Sequence, residues 1–105
     1  MKKSYSLVLT TTGSQRLAEK IALTLVKRKL SACIQLLPIK SFYSLEGKLQ
    51  KDKEVLVFIK SRSEKFPAIK KLIKKLHSYK VPEIVEIKIW RGSKDYLKWI
   101  DSCLK

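Results

Sequence analysis

Histidine occurs once in the chain, at His77, and cysteine twice, at Cys33 and Cys103. That scarcity excludes a Cys-x-x-Cys or Cys2His2 zinc motif and a disulfide-dense scaffold. The two thiols could form one disulfide, but in a reducing compartment they are expected to stay free. Glycine and proline number three each, too few for a Gly-rich phosphate loop, a linker or a low-complexity segment. No apolar run approaches the roughly 20 residues of a membrane span. The start, Met1-Lys2-Lys3, is basic, but Tyr5 to Leu9 is too short for a signal-peptide core and no cleavage site follows. The expectation is a cytoplasmic chain with no membrane partner. Acidic residues are scarce too, 9 against 24 basic, for a net charge of +15. The lysines fall mainly on exposed helix faces, as at Lys70, Lys71, Lys74 and Lys75, and are not interleaved with aromatics. This pattern reads as a solvated basic surface.

With 105 residues, 45% of them hydrophobic, residues 1–105 make a single domain with a small core, which oligomerisation would help to stabilise. Ser4 to Thr12, rich in β-branched and aromatic residues, predicts a first strand. Gly13-Ser14 turns the chain, with Ser14 as N-cap, and Leu17, Ala18, Ile21, Ala22, Leu25 and Val26 give helical spacing over Gln15 to Leu30. Two long extended stretches follow, Ala32 to Leu45 and Lys48 to Arg62, joined by a turn at Glu46-Gly47-Lys48. Pro38 cannot donate to a ladder, so its strand belongs at an edge or carries a bulge. Ser63 is read as a second N-cap, and Phe66, Ile69, Leu72, Ile73 and Leu76 form one apolar helix face that stops near His77. Glu83 to Arg91 predicts a fourth strand and Lys94 to Leu104 a final helix, started at Gly92-Ser93.

The order β-α-β-β-α-β-α points to an α+β fold: a split βαβ sandwich whose antiparallel sheet has spatial order 4-1-3-2, with two helices on one face. The hairpin strands are about 14 residues long against about 8 for the first strand, so the hairpin overhangs its neighbours by roughly 20 Å. A two-stranded overhang is marginal alone in water and leaves open edges. Pairing with further copies in closed cyclic symmetry, as in a trimer, would cover it.

Several stretches carry a family resemblance. Ala18-x-x-Ile21-Ala22-x-x-Leu25-Val26 followed by Leu30-Ser31-Ala32-Cys33-Ile34, then Ser41-x-Tyr43, Glu46-Gly47-Lys48, Glu54, Ile59-Lys60-Ser61, His77-Ser78-Tyr79-x-x-Pro82-Glu83-Ile84 and Tyr96-Leu97-x-Trp99-Ile100 resemble the motifs of the CutA divalent-cation tolerance family. The likeness runs from about Leu7 to Ile100. Leu45, Ser61 and Ser78 depart from the residues usual in that family, Trp, Thr and Pro. The resemblance implies a ferredoxin-like fold, a homotrimer built like the PII signalling proteins, a role in tolerance of copper and other divalent cations, and no enzymatic activity. It also implies a metal set of Cys33, His77 and Glu83, whose thiolate, imidazole and carboxylate chemistry suits copper or zinc, and a cleft containing Glu54, Lys60 and Tyr79.

Strand topology complicates that metal set. Cys33 starts its strand at the end of the sheet opposite His77 and Glu83, about 20 Å away, so a shared site needs a neighbouring subunit. Without metal, Cys33 is a small buried residue, His77 suits a helix C-terminus, and Glu83 binds backbone or Lys80. Glu54 and Lys60 are expected to form an ion pair along the third strand. The turn at Gly13 and Ser14, with Arg16, is a candidate anion site at a helix N-terminus, against the simpler reading of an ordinary capped start. His77 has no partnered nucleophile in the sequence. The same element order occurs in the RRM, but the third strand, Glu54-Val55-Leu56-Val57-Phe58-Ile59-Lys60, has no glycine and one aromatic. Base-stacking recognition of nucleic acid is therefore not expected, and what remains is nonspecific, salt-sensitive phosphate contact.

Overall fold

The β-branched and apolar runs do form strands in the computed structural model of the protein, which describes residues 4–105. Met1-Lys2-Lys3 lies outside the described residues. The elements are β1 (Tyr5–Thr12), α1 (Gln15–Lys27), β2 (Cys33–Leu45), β3 (Lys48–Arg62), α2 (Phe66–Leu76), β4 (Val85–Ile89) and α3 (Lys94–Cys103), with a 3₁₀ turn at Ser63–Lys65. The sheet order is β2-β3-β1-β4 and all pairings are antiparallel. This is the split βαβ topology expected from the sequence.

Ser14 and Ser93 cap α1 and α3 as anticipated, accepting from the amides of Leu17 and Tyr96. Ser63 does not cap a helix. Its hydroxyl pairs at 2.6 Å with Ser6 on β1, and α2 begins three residues later with a proline in its first turn and no side-chain cap. α1 ends at Lys27, short of the expected Leu30, because Lys29 turns into the left-handed region at φ 57° and the Leu30 amide donates back to Leu25. Glycine usually takes that position, so a lysine there concealed the helix end. β4 spans five residues rather than nine because it pairs only with Tyr5 to Leu9.

The pleat separates two faces. Ser6, Val8, Thr10 and Thr12 of β1 lie beside Ser61, Ile59, Val57 and Val55 of β3, all buried under α1 and α2. Ala18, Ile21 and Leu25 from α1 and Ile69, Leu72 and Ile73 from α2 complete this core. Ser31 donates to the carbonyl of Lys60 at 2.8 Å and Ser61 to that of Leu30 at 2.6 Å, tying the α1–β2 connection to β3.

The opposite face carries Leu7, Leu9, Leu56 and Phe58, flanked by Val85 and Ile87 on β4 and Leu37 on β2. Only α3 lies against it, at the Tyr5 end, where the Tyr5 hydroxyl donates to Asp101 at 2.8 Å and the Lys60 ammonium sits 5.6 Å from the centre of the Tyr96 ring. Beyond Thr12 and its partner Val55, β2 and β3 continue as an isolated ribbon from the Ile39–Glu54 pair to the Leu45–Lys48 pair. The ribbon stretches the molecule to 46 Å against 25 and 22 Å in the other directions. Both sheet edges, β2 and β4, lack a second neighbour.

Chemical denaturation should separate these layers. Ile59→Ala in the covered face is expected to cost about 2–5 kcal/mol, and Ser14→Ala about 1 kcal/mol through the lost cap. Leu49→Ala, at a ribbon position 83% exposed, should stay within about 0.5 kcal/mol.

Candidate functional site

Where the ribbon leaves the body of the sheet, the end of β1 and the α2–β4 connection meet it. The cleft between them is about 500 Å³ and is lined by Thr11, Tyr43, Leu45, Glu54, Tyr79, Lys80, Val81 and Glu83. Its apolar wall comes from Leu45 and Val81, both exposed. Its polar side chains are two carboxylates, two phenols, one ammonium and the Thr11 hydroxyl.

His77 ends α2 and is held from both sides. One ring nitrogen, Nε2, lies 2.6 Å from the carbonyl of Thr11, and the other, Nδ1, accepts the Tyr79 amide at 3.0 Å. A carbonyl can only accept, so Nε2 carries the proton and Nδ1 the lone pair. The Tyr79 amide bond closes the turn through Ser78 without a proline.

The ring of Tyr79 lies 4.7 Å from that of His77, and its hydroxyl donates to Glu54 at 2.7 Å. The hydrogen bond to Glu54, helped by partial burial and the negative charge of that carboxylate, pushes the Tyr79 phenol up to about 12. Tyr43 donates to Asp52 across the ribbon, and that bond likewise raises the Tyr43 phenol. Gly13 lies beneath Tyr79. A Cβ at this glycine would come within 3.1 Å of the Tyr79 oxygen, so a side chain there would make the phenol give way by a few tenths of an ångström.

The structure gathers some of the expected site residues and separates others. Glu54, Tyr79 and Glu83 share the cleft, and His77 supports it from behind. Glu54 and Lys60 do not pair: they stand six positions apart along the strand, Glu54 takes the Tyr79 hydroxyl, and Lys60 lies over Tyr96. Cys33 is partnered with Lys60 in the register, at the α3 end of the sheet, and is half-buried on the face that α1 and α2 leave open. It is not in the helix-covered core, and both cysteines are free. Glu83 is exposed. Among the described residues, no cluster of three His, Cys, Asp or Glu side chains could hold a metal ion. Within one chain, Cys33, His77 and Glu83 therefore do not form a copper site, and both nitrogens of His77 are already engaged. At the β1–α1 turn, the Ser14 hydroxyl serves as the helix cap and Arg16 is exposed.

The sequence does not single out Asp52 as a cleft residue, and it places Thr11 only in the strand end before the Gly13-Ser14 turn. The hairpin register could have revealed Asp52, because a turn at Glu46-Gly47 places Ser41 opposite Asp52 and Tyr43 diagonal to it. The role of Thr11 is played by its backbone carbonyl, which leaves no mark on residue identity.

The split βαβ sheet with its long ribbon defines an α+β protein of ferredoxin-like architecture. Its family follows from comparison with known proteins. The profile of the CutA1 divalent ion tolerance protein matches residues 6–103, and the chain belongs to that family. It is 41% identical over 101 residues to the divalent-cation tolerance protein CutA of Archaeoglobus fulgidus, covering 96% of this chain and 99% of that one. Human protein CutA is 35% identical over 98 residues, 92% of this chain and 55% of the human protein. The solved structure of the periplasmic divalent cation tolerance protein CutA from A. fulgidus superposes with a TM-score of 0.94 at 40% identity, covering 96% and 99% of the two chains. CutA1 from Oryza sativa does so with 0.93 at 32% identity, covering 97% and 94%.

The cleft geometry can be read by titration. In ultraviolet difference spectra, the Tyr79 phenol should ionise last, near pH 12, and Tyr79→Phe should remove that step. Because its folded value lies above the ordinary value of 10, the contribution of Tyr79 to stability is whole below pH 10 and is lost as pH rises from about 10 towards 12. Gly13→Ala should press on the phenol, lengthen its bond to Glu54 and lower the step without removing it.

Proposed function

We propose that the protein is a cytoplasmic homotrimer of PII-like build that serves divalent-cation tolerance by binding and signalling rather than by catalysis. The observation that carries the assembly is the open sheet face. Leu37, Val85 and Ile87 remain 51%, 43% and 48% exposed beside half-buried Leu7, Leu9, Leu56 and Phe58. A contiguous apolar surface of this kind marks an interface. Two unpaired strand edges and an overhanging ribbon add backbone donors and acceptors for a neighbouring copy. Three-fold closure uses both edges of every chain without leading to a fibre.

The link to divalent cations rests on the family and on the names of its relatives. A copper site using Cys33, His77 and Glu83 has to draw on more than one subunit, because one chain holds Cys33 and Glu83 at different ends of the sheet. His77 would have to give up its bond with Tyr79 or Thr11 to take part. A net charge of +15 per chain repels cations, so contact with copper or another divalent cation is read as sensing rather than storage. For the non-enzymatic reading, the support is the use of His77 as a doubly bonded strut. Free thiols at Cys33 and Cys103 suit a reducing compartment. No helix among the described residues is long and apolar enough to cross a membrane.

Sedimentation equilibrium with copper calorimetry on the same sample tests both halves. A trimer that binds copper at one per chain or one per trimer, with binding lost in Cys33→Ala, is the expected result. A monomer at micromolar concentration would sink the assembly. Uptake without stoichiometry, unchanged in Cys33→Ala and His77→Ala, would dismiss the cation site and leave the trimer as a scaffold for other ligands.

A further inference from the structure

The charge of this chain is distributed unevenly over the fold. α2 carries Lys70, Lys71, Lys74 and Lys75, all exposed, and no carboxylate. The end of α1 adds exposed Lys27, Arg28 and Lys29, and Glu19 is the only acidic residue in either helix. From Lys20 to Leu45 the sequence contains no Asp or Glu at all. Most other acidic residues lie on the ribbon, on β4 and its approach, and on α3; Glu64, in the turn before α2, pairs with Arg62. Among the described residues, the ion pairs are made by Arg62 and Lys88, not by the helix-layer cations.

Two further features shape this surface. Arg28 stands across a groove of about 350 Å³ from Lys71 and Lys75, with Leu30, Ala68 and Leu72 completing the lining. Three cations thus converge on one trough from two elements. Along α2, Lys70 and Lys74, and likewise Lys71 and Lys75, are one turn apart, so they form two parallel rows at steps of about 6 Å. The layer presents no tryptophan or tyrosine on which a base could stack; Phe66 is half-buried with the Lys70 ammonium 5.9 Å from its ring.

We infer that the α1–α2 layer binds the phosphate backbone of duplex nucleic acid without regard to sequence, with the Arg28–Lys71–Lys75 trough as its centre. A regular, unpaired cation array with no stacking aromatics suits a polyanion with regularly spaced charges. The surface lies on the side of the sheet away from the open apolar face, so it stays accessible whether or not the chain assembles, and the inference stands apart from the cation-tolerance reading.

Fluorescence anisotropy with a labelled 20-base-pair DNA of arbitrary sequence, read across a salt series, tests it. Binding should weaken steeply with salt. In the triple variant Arg28→Gln, Lys71→Gln, Lys75→Gln, affinity at low salt should fall about tenfold or more, and the log–log salt slope should flatten by about 2.7 for three lost contacts. A control with the same charge change on the ribbon, Lys48→Gln, Lys51→Gln, Lys53→Gln, should bind within about twofold of the parent. Circular dichroism and sedimentation confirm that both variants keep the parental fold and assembly. Equal losses in the two variants would show a net-charge effect and overturn the site. Absence of duplex binding at low salt would overturn it as well, as would retention on phosphatidylserine vesicles without duplex binding.

Discussion

A strand buried on both sides needs cover on both sides, and this chain has helices enough for one. α1 and α2 cap the face of Val8, Val57 and Ile59 completely. Across the sheet, α3 reaches only the Tyr5 end. The rest of that face is built from leucine, valine, isoleucine and phenylalanine, residues whose burial is worth about 1.5–3 kcal/mol each when water is removed. Most other features follow from this imbalance. The edges stay unpaired, the ribbon runs past the body of the sheet, and an array of lysines lies on the helical side, where solvent is certain to remain.

Much of this architecture was legible in the residues. The two extended stretches on either side of Glu46-Gly47 marked the hairpin, Pro38 marked an edge, and the spacing of Ile69, Leu72 and Ile73 marked a helix packed on one side. What escaped had identifiable causes. The end of α1 rests on a lysine in a conformation usually left to glycine, so its composition gave no warning. Ser63 has the chemistry of a helix cap, but Ser6 on β1 takes up its hydroxyl. β4 was read as too long because its length is set by the five β1 residues opposite it, a tertiary limit that local pattern does not carry.

The cleft was legible in part for a different reason. Chemistry-bearing side chains such as Glu54, Tyr79 and Glu83 announce themselves, and the structure brings them together. Their partners were harder to foresee, because Glu54 chooses between Lys60 on its own strand and Tyr79 on a distant loop. Extended geometry decides it: six residues of strand put Lys60 roughly 20 Å away, whereas the turn after α2 delivers the Tyr79 hydroxyl directly. His77 illustrates the same point, since a residue suited to ligation or proton transfer is employed here to fix the path of the backbone.

The bond between Tyr79 and Glu54 sits at the root of the ribbon, on a side chain still 39% exposed. Six residue pairs of two-stranded chain extend beyond Glu54, an arm of about 20 Å. A rotation of about 10° at that root would carry the tip through about 3.5 Å, most of a strand spacing. The phenol and carboxylate therefore stand where a lever would have its fulcrum, at the one end of the ribbon that the body of the sheet holds.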